Sequence, residues 1–246
     1  MNSKYIYNSW PLGKLPPDFQ RPEPDLIRKY GYQWDDPRDI IDIFEGKIAQ
    51  FTGAKYCVLT DSCTSGIFLS LKYRNWKKEI SIPMQTYVSV AMQILESGAG
   101  LEFRDEKWSG IYELKGVNIF DSAARFAPNI YVGSSALQVL SFQIKKRLPI
   151  GKGGAILTDS HDAYQWLKTS SYDGRNLKTP YNDPNHIETL GWHLYMTPED
   201  AARGIILMDK LDNNWGDSMN WSNYPPITDY NFFRQNLRNL NDEVNP

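Results

Sequence analysis

The sequence lacks several features that mark whole classes of proteins. No apolar run approaches the roughly 18 residues of a membrane span, and the first ten residues contain no apolar core of a signal peptide. The two cysteines, Cys57 and Cys63, have no partners at metal-ligand spacing, which predicts reduced thiols in a cytoplasmic compartment. A net charge of −2 favours neither a nucleic-acid nor a membrane partner. We therefore expect a soluble cytoplasmic protein without a membrane or nucleic-acid partner.

Histidine is also scarce, and this bears on metal binding. The three histidines, His161, His186 and His193, do not stand at the helical spacing that metal ligands use. For each of them a surface or core position is the simpler interpretation. The histidines therefore predict no metal site.

Strand-like and helix-like segments alternate through the middle of the chain. We predict strands at 55–60, 79–83, 101–105, 117–121, 137–142 and 153–158, and helices at 37–52, 67–73, 87–97, 162–170 and 198–212. Asp36 and Pro37 suit the start of the first helix and Gly53 its end. Thr197 and Pro198 suit the start of the last. This alternation predicts an α/β fold with a mixed, mostly parallel sheet flanked by helices.

The composition divides the chain into three parts. Residues 1–37, rich in proline and aromatic residues, are predicted to form an extended arm that lies on something else. Residues 38–212 hold the α/β pattern and form the main domain. Residues 213–246 are rich in Asn, Trp, Ser and Pro and form a short C-terminal segment, with a polar helix predicted near 229–240.

Several strand ends carry side chains that suit ligand binding. After the first strand, LTDSCTSG places Ser62, Thr64 and Ser65 at a helix start, which suits a phosphate or simply a helix cap. Asp121 ends a strand and could be a metal ligand, a base, a partner for a protonated ring nitrogen, or an N-cap. Tyr87 follows another strand, where its ring could stack on a flat ligand or lie in the core. Each residue alone leaves these alternatives open.

The segment SFQIKKRLPIGKGGAILT (141–158) places Lys145, Lys146 and Arg147 side by side between two strand-like runs. They form either a solvated basic loop or a site in which one lysine carries covalent chemistry. The nearby GKGG matches neither the phosphate-loop nor the dinucleotide-binding pattern. A lysine, an acid, a flat ring and a helix N-terminus together are what pyridoxal phosphate requires. The combination therefore favours a pyridoxal-phosphate site.

The motifs, in this order, resemble the DegT/DnrJ/EryC1/StrS family of pyridoxal-phosphate aminotransferases acting on keto sugars. The resemblance runs from about residue 40 to 212. The segments that carry it are FEGKIAQFTGAKYCVLTDSCTSGIFLSL, IPMQTYVSVAMQIL, NIFDSAARFAP, SFQIKKRLPIGKGGAILT and GWHLYMTPEDAARGIILMDKLD. It implies fold type I, a homodimer with a shared active site, an amino donor such as glutamate, and a keto acceptor such as a nucleotide-linked sugar.

The resemblance also implies the roles of individual residues. Lys146, the fifth residue after Ser141, becomes the Schiff-base lysine, and Asp121 becomes the partner of the pyridinium nitrogen. The predicted catalytic residues are thus Lys146 and Asp121. The predicted cofactor-binding residues are Ser62, Cys63, Thr64, Ser65, Tyr87, Asp121, Ala123, Ser141, Lys146 and His193, the last lent by the partner subunit.

At some positions this sequence differs from the pattern of the family that it resembles. Cys63 replaces a glycine of the phosphate turn, Ala124 a glutamine or histidine, His193 an asparagine, and Tyr195 an arginine. The short C-terminal segment stands where relatives have a second domain. Two other hypotheses remain, a non-catalytic pyridoxal-phosphate-binding protein on the same scaffold and a different reaction such as sugar dehydration. Dehydrating relatives carry histidine instead of the lysine, so Lys146 argues against dehydration.

Overall fold

The computed structural model describes residues 20–235. Its strands are β1 (Tyr56–Thr60), β2 (Glu79–Pro83), β3 (Gly100–Arg104), β4 (Tyr112–Leu114), β5 (Ile119–Asp121), β6 (Leu137–Ser141) and β7 (Gly154–Thr158). Its α-helices are α1 (Glu23–Lys29), α2 (Asp39–Thr52), α3 (Cys63–Arg74), α4 (Val88–Ser97), α5 (His161–Ser171) and α6 (Pro198–Met208). Short 3-10 helices follow at Trp221–Asn223 and Ile227–Asp229. The predicted α/β class is confirmed.

The sheet is mixed. Five strands lie in the order β1-β7-β6-β5-β4, and β2 pairs with β3 separately, joined to the end of β4 by hydrogen bonds between Ser81 and Lys115. β5–β6 and β2–β3 are parallel, whereas β1–β7, β6–β7 and β4–β5 are antiparallel. Among the described strands, the prediction of a mostly parallel sheet is therefore wrong. The connection from β4 to β5 is a tight turn through Gly116, and so short a connection permits only antiparallel pairing.

Helices cover both faces of the sheet. Along each central strand, alternate side chains enter opposite cores, as the two-residue period of a strand requires. Val139 and Ile156 pack into one core with α3, α4 and α5, whereas Leu140 and Leu157 pack into the other with α2 and α6. Both faces of β6 and β7 are therefore buried, and this fixes the position of the strand ends that carry the candidate site.

The start of α2 differs from the prediction. The helix begins at Asp39 with Arg38 as N-cap, rather than with Asp36 as cap and Pro37 at the first position. Asp36 is engaged elsewhere, because its carboxylate accepts hydrogen bonds from the backbone and guanidinium of Arg38 at 2.7 to 2.9 Å. Gly53 ends the helix in the left-handed conformation, as predicted.

The predicted N-terminal arm is not extended where the structure describes it. Residues Glu23–Lys29 form α1, whose Ile27 is completely buried and which packs against α6. Pro22 and Pro24 begin this helix rather than prevent it, since proline is tolerated in the first helical turn. The rest of the arm, residues 1–19, lies outside the described residues.

The other helix predictions have mixed outcomes. α6 begins as predicted, with Thr197 accepting a hydrogen bond from the Asp200 backbone and Pro198 at the first position. It ends at Met208, however, before the predicted residue 212. The helix predicted near 229–240 is helical at 231–235, and its remainder lies outside the described residues. Within residues 20–235, no helix has both the length and the apolar character needed to span a membrane.

Candidate active site

A cavity of about 560 Å³ opens where β1, β2, β5 and β6 end. This is the volume of a site for a small molecule or cofactor. Most residues predicted for the site from sequence line it: Ser62, Cys63, Thr64, Tyr87, Asp121, Ala123, Ser141 and Lys146. The strand ends of one sheet thus bring together residues that lie far apart in the sequence.

Two predicted residues do not line the cavity. Ser65 lies one helical turn below Ser62, to which its backbone N–H donates at 3.1 Å and its hydroxyl is hydrogen-bonded at 2.8 Å. His193 is largely exposed, and its ring lies 3.0 Å from the Asp173 carboxylate. Because its predicted contact is with the cofactor of a partner subunit, a single chain does not test it, and the assignment stays a prediction.

The N-terminus of α3 forms the polar end of the cavity. Ser62 caps the helix, so the first backbone N–H groups of α3 lie beside the hydroxyls of Ser62 and Thr64. Thr64 is held by Ser89 of α4 at 2.9 Å. β7 approaches so closely that a Cβ on Gly154 would lie 2.5 Å from the Cys63 backbone nitrogen. A helix N-terminus with flanking hydroxyls is a site for an anion such as phosphate.

The three adjacent cationic side chains, at positions 145–147, lie in three different environments. Lys145 is exposed at the cavity rim. Arg147 bonds Asp212 and lies 5.3 Å from the centre of the Trp215 ring, away from the cavity. Lys146 is partly buried in the cavity wall, with its Nζ 3.5 Å from the sulfur of Met219. Because a thioether is a weak acceptor, the Lys146 amine is held without a strong ionic partner at that contact.

Asp121 is the buried acid of the cavity, with 5% of its surface exposed. Its Oδ1 accepts from the Ala123 backbone at 2.8 Å, and its Oδ2 accepts from the Tyr112 hydroxyl at 2.7 Å. Burial raises the pKa of Asp121, while these two hydrogen bonds and the charge of Lys146 act in the opposite direction. Burial raises the pKa of the neighbouring Cys63 thiol well above its usual value, so this thiol is a neutral wall group.

Aromatic residues form another wall of the cavity, and the sequence prediction included only Tyr87. Tyr87 is 57% exposed, so a face of its ring is free to contact a ligand. The Tyr224 ring lies edge-on to it at 6.5 Å and also contacts Trp108 at 6.0 Å. Burial raises the pKa of Tyr224 to about 12, so its hydroxyl stays protonated and donates to Met219.

Residues 217–224, here called the cover segment, lie against the cavity and were not predicted to belong to the site. Met219, Asn223 and Tyr224 of this segment line the cavity. Asp217 anchors it, with its carboxylate bound by Arg125 at 2.7 and 2.8 Å and by Ser109 at 2.8 Å. The only sequence signal was the change in composition after Leu211, which does not indicate contact with the site.

Gly110 permits this attachment. Its φ is +70°, a conformation that glycine adopts without strain, and a Cβ there would lie 2.2 Å from the Asp217 carboxylate. The Gly110 backbone also donates to the Met219 carbonyl at 3.1 Å. Glycine at position 110 therefore lets the cover segment lie directly on the turn before β4.

Residues 20–235 contain no cluster of three histidine, cysteine or carboxylate side chains that could hold a metal ion. Both cysteines are free thiols. The cavity presents amines, a buried carboxylate, hydroxyls and aromatic rings.

The model of the DegT/DnrJ/EryC1/StrS aminotransferase family matches residues 31–109 and 119–219. The chain belongs to this family. The resemblance predicted from the motifs is thus confirmed, and with it the fold of a pyridoxal-phosphate aminotransferase of fold type I. The match skips residues 110–118, which contain β4 and Tyr112.

This chain is similar to several known proteins at low sequence identity. Spore coat polysaccharide biosynthesis protein SpsC of Bacillus subtilis (strain 168) is 25% identical over 69% of this chain and 56% of SpsC. Sugar aminotransferase CalS13 from Micromonospora echinospora has a TM-score of 0.62 at 14% identity, covering 81% of this chain and 67% of CalS13. Helicobacter pylori PseC, an aminotransferase in pseudoaminic acid biosynthesis, has a TM-score of 0.59 at 18% identity, covering 78% and 63%. The chain thus spans little more than half of SpsC.

Proposed function

We propose that this chain is a pyridoxal-phosphate-dependent aminotransferase acting in the cytoplasm. It moves an amino group from an amino acid, glutamate by family resemblance, to a keto acceptor, with a nucleotide-linked keto sugar as the favoured class. One observation carries the proposal: a single cavity holds Lys146, the buried Asp121, the exposed ring of Tyr87 and the N-terminus of α3. The name of CalS13, a sugar aminotransferase, and that of SpsC, a polysaccharide biosynthesis protein, support a sugar as the acceptor.

The residues of the cavity fit pyridoxal phosphate. The N-terminus of α3 with Ser62 and Thr64, together with Ser141, would hold the phosphate, because these groups offer N–H and hydroxyl donors. Each Asp121 oxygen accepts one described hydrogen bond and has a further lone pair for a ring nitrogen. Tyr87 and Ala123 would face the ring. The cavity volume of about 560 Å³ suffices for cofactor and substrate.

When bound, the cofactor supplies an electron-withdrawing ring that stabilises negative charge at the substrate Cα. The chain supplies the acid–base groups and the environment. The Lys146 amine would accept the proton that leaves the substrate Cα and deliver it to C4′ of the cofactor, and would move it in the reverse direction with the keto acceptor. The Asp121 carboxylate would keep a proton on the ring nitrogen, and Met219 and Tyr224 of the cover segment would limit the access of water.

The proposal includes a homodimer with a shared site, in which His193 reaches the cavity of the partner subunit. Its exposure in the single chain leaves it accessible for such a contact. We also propose three parts for the chain: the arm at 1–37, the cofactor-binding large domain at 38–212, and a C-terminal segment at 213–246 that contributes to the cavity. The presence of the cover segment at the cavity supports the last assignment.

The test is an absorbance spectrum of the purified protein with pyridoxal phosphate, before and after glutamate. We expect a visible band that glutamate abolishes, and we expect Lys146→Ala to lack it. Lys145→Ala is the matched control, because it removes the same charge from the adjacent, exposed residue and should keep the band. Substantial transamination by Lys146→Ala would contradict the lysine assignment.

The wild-type protein decides between the proposal and its alternatives. A band that glutamate leaves unchanged would indicate a pyridoxal-phosphate-binding protein with another reaction or none. The absence of any band would refute the enzyme proposal and leave Lys145, Lys146 and Arg147 as a basic loop.

A further inference from the structure

We infer that Tyr112 is a positioning residue, which holds the Asp121 carboxylate toward the cavity as a hydrogen-bond acceptor. This inference rests on the proposed function, since it concerns the acid that would contact the ring nitrogen. Tyr112 is 4% exposed and does not itself line the cavity, so it acts through Asp121.

The hydrogen-bond geometry assigns the protons in a chain of three groups. The Tyr112 hydroxyl lies 2.7 Å from Asp121 Oδ2 and 2.6 Å from the Thr86 hydroxyl. A phenol has one proton and a carboxylate only accepts, so the Tyr112 proton goes to Asp121. Thr86 therefore donates to the Tyr112 oxygen. The order of donation, Thr86 to Tyr112 to Asp121, ends at the cavity.

The backbone places these groups opposite each other. Tyr112 of β4 and Asp121 of β5 are directly paired across the antiparallel ladder, so their side chains share one face of the sheet. The Trp108 ring packs against the Tyr112 ring at 4.9 Å and limits its movement. The tight β4–β5 turn thus fixes the distance between hydroxyl and carboxylate.

The electrostatic balance supports the same role. Burial raises the pKa of Asp121, and the Tyr112 hydrogen bond is among the contacts that lower it. Burial and the Asp121 charge raise the pKa of Tyr112 well above its usual value, so the phenol remains a donor at neutral pH. Without the hydroxyl, the Asp121 carboxyl would retain the Ala123 hydrogen bond but would take up a proton at higher pH.

This arrangement belongs to the part of the chain that the family model skips. Tyr112 lies in residues 110–118, between the two matched regions, whereas Asp121 and Thr86 lie inside them. The donor to the acid is therefore supplied by a segment in which this chain departs from the family pattern.

The experiment compares the pH dependence of the glutamate half-reaction in wild-type protein and Tyr112→Phe, both loaded with pyridoxal phosphate. Loss of one donor to a buried charge should move the acidic limb of the rate profile, and of the spectral titration of the bound cofactor, upward by about one pH unit. At a pH on this limb the rate should fall about tenfold, and the deficit should disappear as the pH rises.

Tyr131→Phe is the matched control. This substitution also removes a tyrosine hydroxyl, which donates to the Ala136 carbonyl and accepts from the Asp159 N–H. Tyr131 does not line the cavity. Its profile should equal that of the wild type. Thr86→Val should move the limb in the same direction as Tyr112→Phe, by less, because it weakens the Tyr112 donor without removing it.

The outcomes separate the inference from the proposed function. A wild-type protein that fails to bind the cofactor refutes the proposed function. If the wild-type protein reacts with glutamate and the acidic limb of Tyr112→Phe lies at the same pH, only the inference is refuted. A rate loss that is equal at every pH also overturns it, since that result indicates altered packing. If Tyr112→Phe does not fold, the rate profile of Thr86→Val is measured in its place. An acidic limb at the same pH as in the wild type would then refute the inference.

Discussion

The attachment of the cover segment through Asp217 makes a quantitative prediction. Asp217→Asn keeps the size of the side chain but removes the charge that Arg125 binds through two nitrogens, at 2.7 and 2.8 Å. The Arg125 side chain is 35% exposed, so water screens the pair and its contribution is about 1 kcal/mol. Weakening the hydrogen bond from Ser109 adds a few tenths, for a total near 1.4 kcal/mol.

This loss should increase local opening of the cover segment about tenfold. The assay is amide hydrogen exchange at Ser218 and Trp221, whose N–H groups donate to the carbonyls of Ala124 and Trp108. Both amides should exchange about tenfold faster in Asp217→Asn. The central strand β6 should keep its protection.

Asp209→Asn is the matched control, because it removes a surface carboxylate at the C-cap of α6, paired with Lys47 at 2.9 Å and away from the cavity. Unchanged exchange at Ser218 and Trp221 in Asp217→Asn would refute the reasoning. So would equal acceleration by both variants. The pKa of Asp217 is lowered by the Arg125 hydrogen bonds, so its contribution is present above about pH 4 and is lost as the pH falls through the folded-state pKa.

Two further predictions concern the acid and a buried ion pair. Asp121→Asn should retain the cofactor but slow proton abstraction on the order of a hundredfold, because an amide carries no charge to pair with the ring nitrogen. Single-turnover spectra with glutamate measure this rate, and an unchanged rate would exclude the proposed role of Asp121. Lys168→Met should cost about 3 kcal/mol in urea unfolding at neutral pH, because Lys168 lies 2.7 Å from both oxygens of the buried Glu45. Burial raises the pKa of Glu45, and removal of Lys168 should raise it further, so the loss should shrink in acid as Glu45 is protonated; a loss independent of pH would contradict this account.

The sequence predicted the elements and the site residues that depend on local patterns. Apolar runs predicted β1, β2, β5, β6 and β7, because buried strands need continuous apolar side chains. Ligands bind at strand ends in α/β sheets, and this rule predicted that residues as distant as Ser62, Asp121 and Lys146 lie in one cavity. Their catalytic and binding roles remain predictions.

The features that the sequence did not predict depend on tertiary contacts. β4 has only three residues, Tyr112–Leu114, and is stable because β5 lies beside it rather than through its own pattern. The hydroxyl of Tyr112 finds its acceptor only when β4 and β5 pair. α1 was obscured by its prolines, although burial of Ile27 against α6 stabilises it.

The cover segment was missed for a related reason. Met219 and Tyr224 stand in a polar, irregular stretch with no hydrophobic period, so no local pattern indicates where it lies. Its position follows from the fit between Asp217, Arg125 and Gly110, which are distant in sequence. Contacts between such distant residues form only in the folded chain, and the sequence of one segment does not predict them.

The pairing of β1 with β7 has a consequence for the order of events during synthesis. Thr60, the last residue of β1, is held opposite Gly154, so the N-terminus of α3 acquires its final surroundings only after most of the chain has left the ribosome. Such distant pairing is slow, because the intervening chain must be ordered before the contact contributes. The cavity is complete only when the cover segment has also emerged. A ligand of this cavity therefore stabilises the finished protein by mass action and does not guide the early steps of its folding.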